Sequence, residues 1–126
     1  MSKQDFINGF LEAAMWLGQS YENEAEAERG EGTDLRDIID TSEIPTDVMK
    51  EITDDCEAFY DNYSHLWEGE LDDVDAGHDF FLTRNRHGSG FWDRDLEHAD
   101  ELTDAAHVYG SFNLERFADG PVYATH

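Results

Sequence analysis

From Thr46 to Tyr63 the chain is written for an α-helix almost without interruption. At about 100° per residue, Val48, Met49, Ile52, Cys56, Phe59, Tyr60 and Tyr63 fall on one side. Asp47, Glu51, Asp54, Glu57 and Asp61 fall on the other, with Asp55 at the flank. Pro45 suits the start, because its fixed φ matches the first helical turn and it has no N–H to leave unsatisfied. An apolar stripe of this width must be covered by other parts of the chain, while the carboxylate face can only stay in water. One core-facing helix is therefore fixed, and the rest of the fold has to pack around it.

Other elements are read from the same rules. Ser2, followed by Asp5, resembles a capping box ahead of Phe6, Phe10, Ala13, Ala14 and Leu17 at helical spacing, with Gly18 as the stop. Residues 19–40 are polar, acidic and glycine-containing, which predicts a mobile acidic loop or a frayed helical turn rather than a core element, most mobile at Arg29 to Thr33. His65 to Asp75 reads as an acidic connector around Leu66 and Trp67. His78 to Thr83 has a strand composition, and Gly88 to Gly90 can turn the chain. Asp95 is placed to cap a further helix with Leu96, Ala99, Leu102, Ala106 and Tyr109 facing inward, ending at Gly110. Leu114 to Phe117 and Val122 to Ala124, around Ala118-Asp119-Gly120, predict a hairpin. The expectation is one α+β domain over 1–126, with about three helices packed on a small antiparallel sheet or hairpins.

Charge is distributed unevenly. Residues 22–75 hold 20 of the 31 acidic residues against Arg29, Arg36 and Lys50, so most of the formal charge of −23 sits there. Such a surface repels nucleic acid and anionic membranes and attracts proteins that bind nucleic acid. Direct nucleic-acid binding and membrane binding are therefore not expected. Cys56 is the sole cysteine, so no intramolecular disulfide can form. The first ten residues lack a basic region and a long apolar run, so they do not read as a signal peptide, and the expected location is cytoplasmic.

The segment 76–94, AGHDFFLTRNRHGSGFWDR, differs from its acidic surroundings. It resembles a box close to AGHDFWLTRNGHGAGFWDR found in a family of small, acidic, largely uncharacterised proteins of tailed bacteriophages. The helix like DCEAFYDNY before the box, the N-terminal helix and the helix after it are similar too. This chain departs from the pattern at Phe81, Arg86 and Ser89, and its tail from Ser111 looks shorter and different. The resemblance implies a phage accessory protein acting in the host bacterial cytoplasm. It brings no assigned reaction.

Two constellations are candidates for function. Helical residues four apart rise by about 6 Å, which is similar to the spacing of successive phosphates along a strand. Asp47, Glu51, Asp54, Asp55, Glu57 and Asp61 could thus form a phosphate-like row, extended by Glu68, Glu70, Asp72, Asp73 and Asp75. The expected partner is a host nucleic-acid-binding protein of restriction, recombination, transcription or defence, with a homodimer as a further possibility. The bland alternative is a solubilising wet face. A salt-adapted domain is another, although the milder charge of residues 76–126 weighs against it.

The second constellation is the box itself: His78, Asp79, Arg84, Asn85, His87, Trp92, Asp93 and Arg94. Converging histidines and arginines could move a proton or grip an anion, as in a small enzyme or ligand-binding protein. The structural alternative pairs Arg84 and Arg94 with Asp79 and Asp93, with Asn85 shaping a turn and Phe80, Leu82, Phe91 and Trp92 in the core. Bracing the fold is the favoured reading, and catalysis is not expected. Ser89 lacks the flanking glycines of a nucleophile elbow. No metal or cofactor is expected: His98 and His107 lie about half a turn apart on a helix, and His78 and Arg84 occupy places where a calcium loop starting at Asp73 needs glycine and glutamate.

Overall fold

Ser2 begins the first helix, α1 (Lys3–Leu17), by accepting the Asp5 amide on its side chain at 3.2 Å. The structure is a computed structural model and describes residues 2–126. After α1 come β1 (Gln19–Tyr21), α2 (Glu24–Arg29) and β2 (Thr33–Asp34). Then follow α3 (Thr46–Tyr63), α4 (Asp73–Arg84), α5 (Ala99–Val108), β3 (Asn113–Phe117) and β4 (Tyr123–Thr125). The class is α+β as expected, with five α-helices and a four-stranded sheet among the described residues. No helix among them is long and apolar enough to cross a membrane.

The expected hairpin forms, with Leu114 opposite Ala124, and the turn places Ala118 at φ 52°. The sheet is mixed rather than antiparallel, in the order β2-β1-β3-β4, because β1 lies parallel to β3 with Ser20 opposite Arg116. Strands β1 and β2 and the short helix α2 therefore occupy the stretch expected to be a loop or a frayed helical turn. Asn23 caps α2 through its side chain, and Leu35, just beyond β2, is wholly buried. These elements are too short for a periodicity to show.

The larger correction is α4. His78 to Thr83 is helical, not extended, and its helix begins in the expected connector, where Asp72 Oδ1 accepts the Asp75 amide at 2.8 Å. Ala76, Gly77, Phe80, Phe81 and Arg84 recur at helical spacing and are buried. Gly77 explains why this helix can sit where it does: a Cβ there would lie 2.1 Å from the Phe6 carbonyl oxygen. Across the same crossing, a Cβ on Gly9 would lie 2.0 Å from the carbonyl oxygen of Val74. The two backbones touch, and α1 and α4 form the central pair of the fold. At its C-terminus, α4 closes with the Arg86 N–H donating to Thr83 and the His87 N–H donating to Leu82, each at 3.0 Å. Arg86 carries the positive φ, 52°, that this closure requires.

The core is aromatic. Phe6, Phe10, Phe59, Trp67, Phe80, Phe81, Phe91 and Phe112 are almost wholly buried. Phe59 and Phe80 stack with ring centroids 4.1 Å apart, and Phe6 and Trp67 with centroids 5.4 Å apart. Each such pair is worth about 0.5–1.5 kcal/mol beyond the area it buries. Trp92 and Leu17, both expected in the core, are instead exposed, and Leu82 is half-buried. Helix α5 starts at Ala99, four residues after the expected cap Asp95, because the preceding turn is held otherwise: the Glu97 N–H donates to Glu70 Oε1 at 3.1 Å.

Candidate functional site

The outer face of α3 has the orientation its periodicity predicts. Asp47, Asp54, Glu57 and Asp61 are exposed, as are Glu68, Glu70 and Asp72 in the turns that follow. Lys50 Nζ lies 2.6 Å from Asp54, and Lys3 Nζ lies 2.8 Å from Asp61. Both carboxylates keep more than half of their side-chain surface in water, so these pairs contribute little to stability and leave the face strongly negative. Glu51 is half-buried and meets His126, and Asp75 is half-buried.

Two carboxylates of the expected row point elsewhere. Asp73 is buried, where it accepts the Trp67 Nε1–H at 3.0 Å and the Tyr60 hydroxyl at 3.1 Å. A carboxylate with two buried donors braces the core and adds nothing to a phosphate-like surface. Burial, together with the Asp73 carboxylate, holds the Tyr60 phenol above its ordinary value. Asp55 is turned toward Arg84, with Nη1 to Oδ2 at 3.1 Å. Burial raises the Asp55 carboxyl above the ordinary aspartate range, against the opposing pull of Arg84.

Among the described residues Arg84 is the most enclosed ion-paired charge, with its side chain 1% exposed. Its Nε–H donates to the Gly110 carbonyl at 2.9 Å and Nη2 to that of Tyr109 at 3.3 Å. The rings of Phe10, Phe80, Tyr109 and Phe112 lie 5.3–5.8 Å from its guanidinium carbon. Aromatic faces, carbonyls and one carboxylate surround this cation in place of water, with Nη1 meeting Asp55 as an ion pair and making no hydrogen bond. Arg94 pairs with Asp79, as the structural reading of the box allows, whereas Arg84 pairs with Asp55 rather than with a residue of the box. Burial also raises Asp79 above its ordinary value.

Asn85 does more than shape a turn. Its amide nitrogen donates to the carbonyls of Phe81 and Phe112 at 2.8 and 2.9 Å, and its oxygen accepts the Phe112 N–H at 2.9 Å and the Asn113 side chain at 3.1 Å. All its polar capacity ties the end of α4 to the start of β3. Gly90, at φ 149°, passes so close to Thr83 that a Cβ would lie 2.4 Å from Oγ1, and the Phe91 N–H donates to that oxygen at 3.1 Å. Arg84, Asn85, Asp79 and Arg94 are thus engaged in holding the fold.

The remaining box residues line a cleft. Its apolar lobe, about 270 Å³, is walled by Ala13, Trp16, Leu17, His78, Leu82, His87 and Ser89. A second, polar lobe of about 360 Å³ shares His78, Leu82 and Ser89 and continues past Gly90 to Asp79, Asp93 and Arg94. His78 Nε2 is sealed from solvent without a hydrogen-bond partner, and Glu12 Oε1 lies 3.7 Å away. Ser89 Oγ therefore makes no hydrogen bond to that nitrogen. No group of three or more metal-binding side chains occurs among the described residues. Sequence reasoning missed Trp16 and Leu17 as cleft residues. Trp16 gave a signal, because it falls outside the apolar stripe of α1 and is 54% exposed.

Compared with known proteins, the chain matches no family model, and no characterised protein or solved structure matches it either.

Proposed function

We propose that this protein is a nucleic-acid mimic that inhibits or redirects a DNA-handling or defence protein by occupying its basic channel. The observation that carries the reading is the exposed stripe Asp47, Asp54 and Asp61 along α3, flanked by Glu57 and continued by Glu68, Glu70 and Asp72. Residues seven apart on a helix sit about 10 Å apart in rise, wider than successive phosphates on one strand, whereas Glu57–Asp61, about 6 Å apart, is close to that spacing. Among the described residues, Lys3 and Lys50 are the cations that form ion pairs with this stripe. A partner would replace its counterions here as it does on DNA, so binding weakens steeply as salt rises. The phage setting, the host cytoplasm and the absence of catalysis belong to the same proposal, which the box resemblance supports.

The test is capture from nuclease-treated bacterial lysate on immobilised protein, with a salt gradient and a duplex-DNA chase. The expected result is a nucleic-acid-binding protein released by moderate salt and displaced by duplex. A triple variant, Asp47→Asn, Asp54→Asn and Asp61→Asn, should lose that partner while keeping its circular dichroism spectrum. Retention of the same partner by the triple variant, or indifference of the captured protein to duplex, overturns the proposal.

A further inference from the structure

The cleft on the far side of the box is a built site with no role in the mimicry reading. Its apolar lobe offers the half-exposed indole of Trp16 with Leu17 and Leu82, a wall suited to a flat ring. The Arg36 guanidinium lies 5.0 Å from the Trp16 ring centroid. A volume of about 270 Å³ admits one or two fused rings and not a large cofactor.

The polar lobe decides the charge of the occupant. Of its ionic groups, Asp79 and Arg94 neutralise each other, whereas Asp93 has no cationic partner among the described residues and is exposed. Glu12, outside the lining of both lobes, lies 3.7 Å from His78, and the chain as a whole carries −23. An anion entering here would meet one committed arginine and the unpaired carboxylate of Asp93, while a cation would find that carboxylate as its counter-charge. His78, whose Nε2 lacks a partner, lines both lobes, so a ligand spanning them passes over it.

We infer that the cleft between α1 and the box binds a small aromatic amine, with its ring in the lobe of Trp16, Leu17 and Leu82 and its ammonium in the lobe of Asp93. The site is independent of the carboxylate stripe of α3, and neither Asp47 nor any other member of that stripe lines it.

The experiment is a ¹H–¹⁵N NMR titration of the full chain with three probes sharing one ring: tryptamine, indole and indole-3-acetate. Saturable shifts are expected at Ala13, Leu82 and Ser89, with affinity falling in that order of probes. Asp93→Asn should weaken tryptamine roughly two- to fivefold, as loss of one partly exposed ion pair does, and leave indole unchanged. Asp47→Asn removes the same charge from a surface outside the cleft and should leave tryptamine binding unchanged. Ser89→Phe, at an exposed position, should block both tryptamine and indole; if it fails to fold, the Asp93→Asn and Asp47→Asn pair still decides. Failure of tryptamine to saturate up to its solubility limit overturns the inference. So does an equal loss in Asp93→Asn and Asp47→Asn, which would reduce the effect to the diffuse field of an acidic protein, or tightest binding by the anionic probe.

Discussion

Helix α3 turns Asp47, Asp54, Glu57 and Asp61 to solvent and buries Val48, Ile52, Cys56 and Phe59. Helix α4 does the reverse with its polar groups, burying Asp73, Asp79, Thr83 and Arg84 beside Phe80 and Phe81. On α3 water solvates the charges, so each costs little and contributes little. On α4 the protein must supply every partner itself: Trp67 and Tyr60 for Asp73, Arg94 for Asp79, and Asp55 with two carbonyls and four rings for Arg84. Asp54 and Asp55 show the boundary between the two regimes. They are adjacent in sequence, yet one faces Lys50 at the surface and the other faces the buried arginine. The lesson is that count and spacing of charges describe α3 well and α4 badly.

Four measurements test this contrast. The largest effect is expected from Arg84→Met, which strands Asp55 and the carbonyls of Tyr109 and Gly110. Urea denaturation should show a loss of about 3–5 kcal/mol, partly recovered by adding Asp55→Leu. A loss below 1 kcal/mol would mean that α4 treats charge as α3 does. Next, Gly77→Ala forces a methyl against the Phe6 carbonyl and should cost about 1–3 kcal/mol, with loss of near-ultraviolet dichroism from the aromatic core.

The third concerns pH. Asp55 and Asp79 are held above the ordinary aspartate value of 3.8, chiefly by burial. The folded chain then binds more protons than the unfolded one between 3.8 and the raised folded-state values. Their contribution is fully present below that window and is lost as pH rises through it. Stability should therefore increase as pH is lowered from neutrality into the window, and Asp55→Asn should flatten the dependence in a thermal-melt series. The smallest effect belongs to Asp54→Asn on the open face of α3: a change within about 0.5 kcal/mol, of either sign. A substantially larger loss would show that the surface carboxylates carry structural weight.

The expected elements that formed share one property: their evidence is local. Ser2 and the Phe6–Phe10 stripe announce α1, the two-faced pattern announces α3, and Ala118-Asp119-Gly120 between short apolar runs announces the hairpin. The segment HDFFLT misled because six residues rich in aromatics have strand composition, whereas its helical repeat becomes visible only from Asp72 to Arg84. Even over that longer window, Asp73, Asp79 and Arg84 occupy inward positions, which contradicts the polar-outside rule. The parallel pairing of β1 with β3 was invisible for a related reason: three residues after α1 find their partner almost a hundred residues later. Within the candidate site, His78, His87 and Ser89 were legible as chemistry, but Trp16 and Leu17, which complete their cleft, come from the other end of the chain.

The acidity of the chain and the water-facing carboxylate stripe of α3 follow from residue order alone, because a helix fixes the relative direction of residues a few positions apart. Which charges turn inward was decided only by tertiary structure. A half-buried Asp55 or a buried Asp73 or Asp79 is tolerable only beside a partner, and those partners are carried on other elements that only folding brings within reach. The same holds for the cleft, whose walls belong to α1 and the box and meet only because Gly9 and Gly77 let two backbones touch.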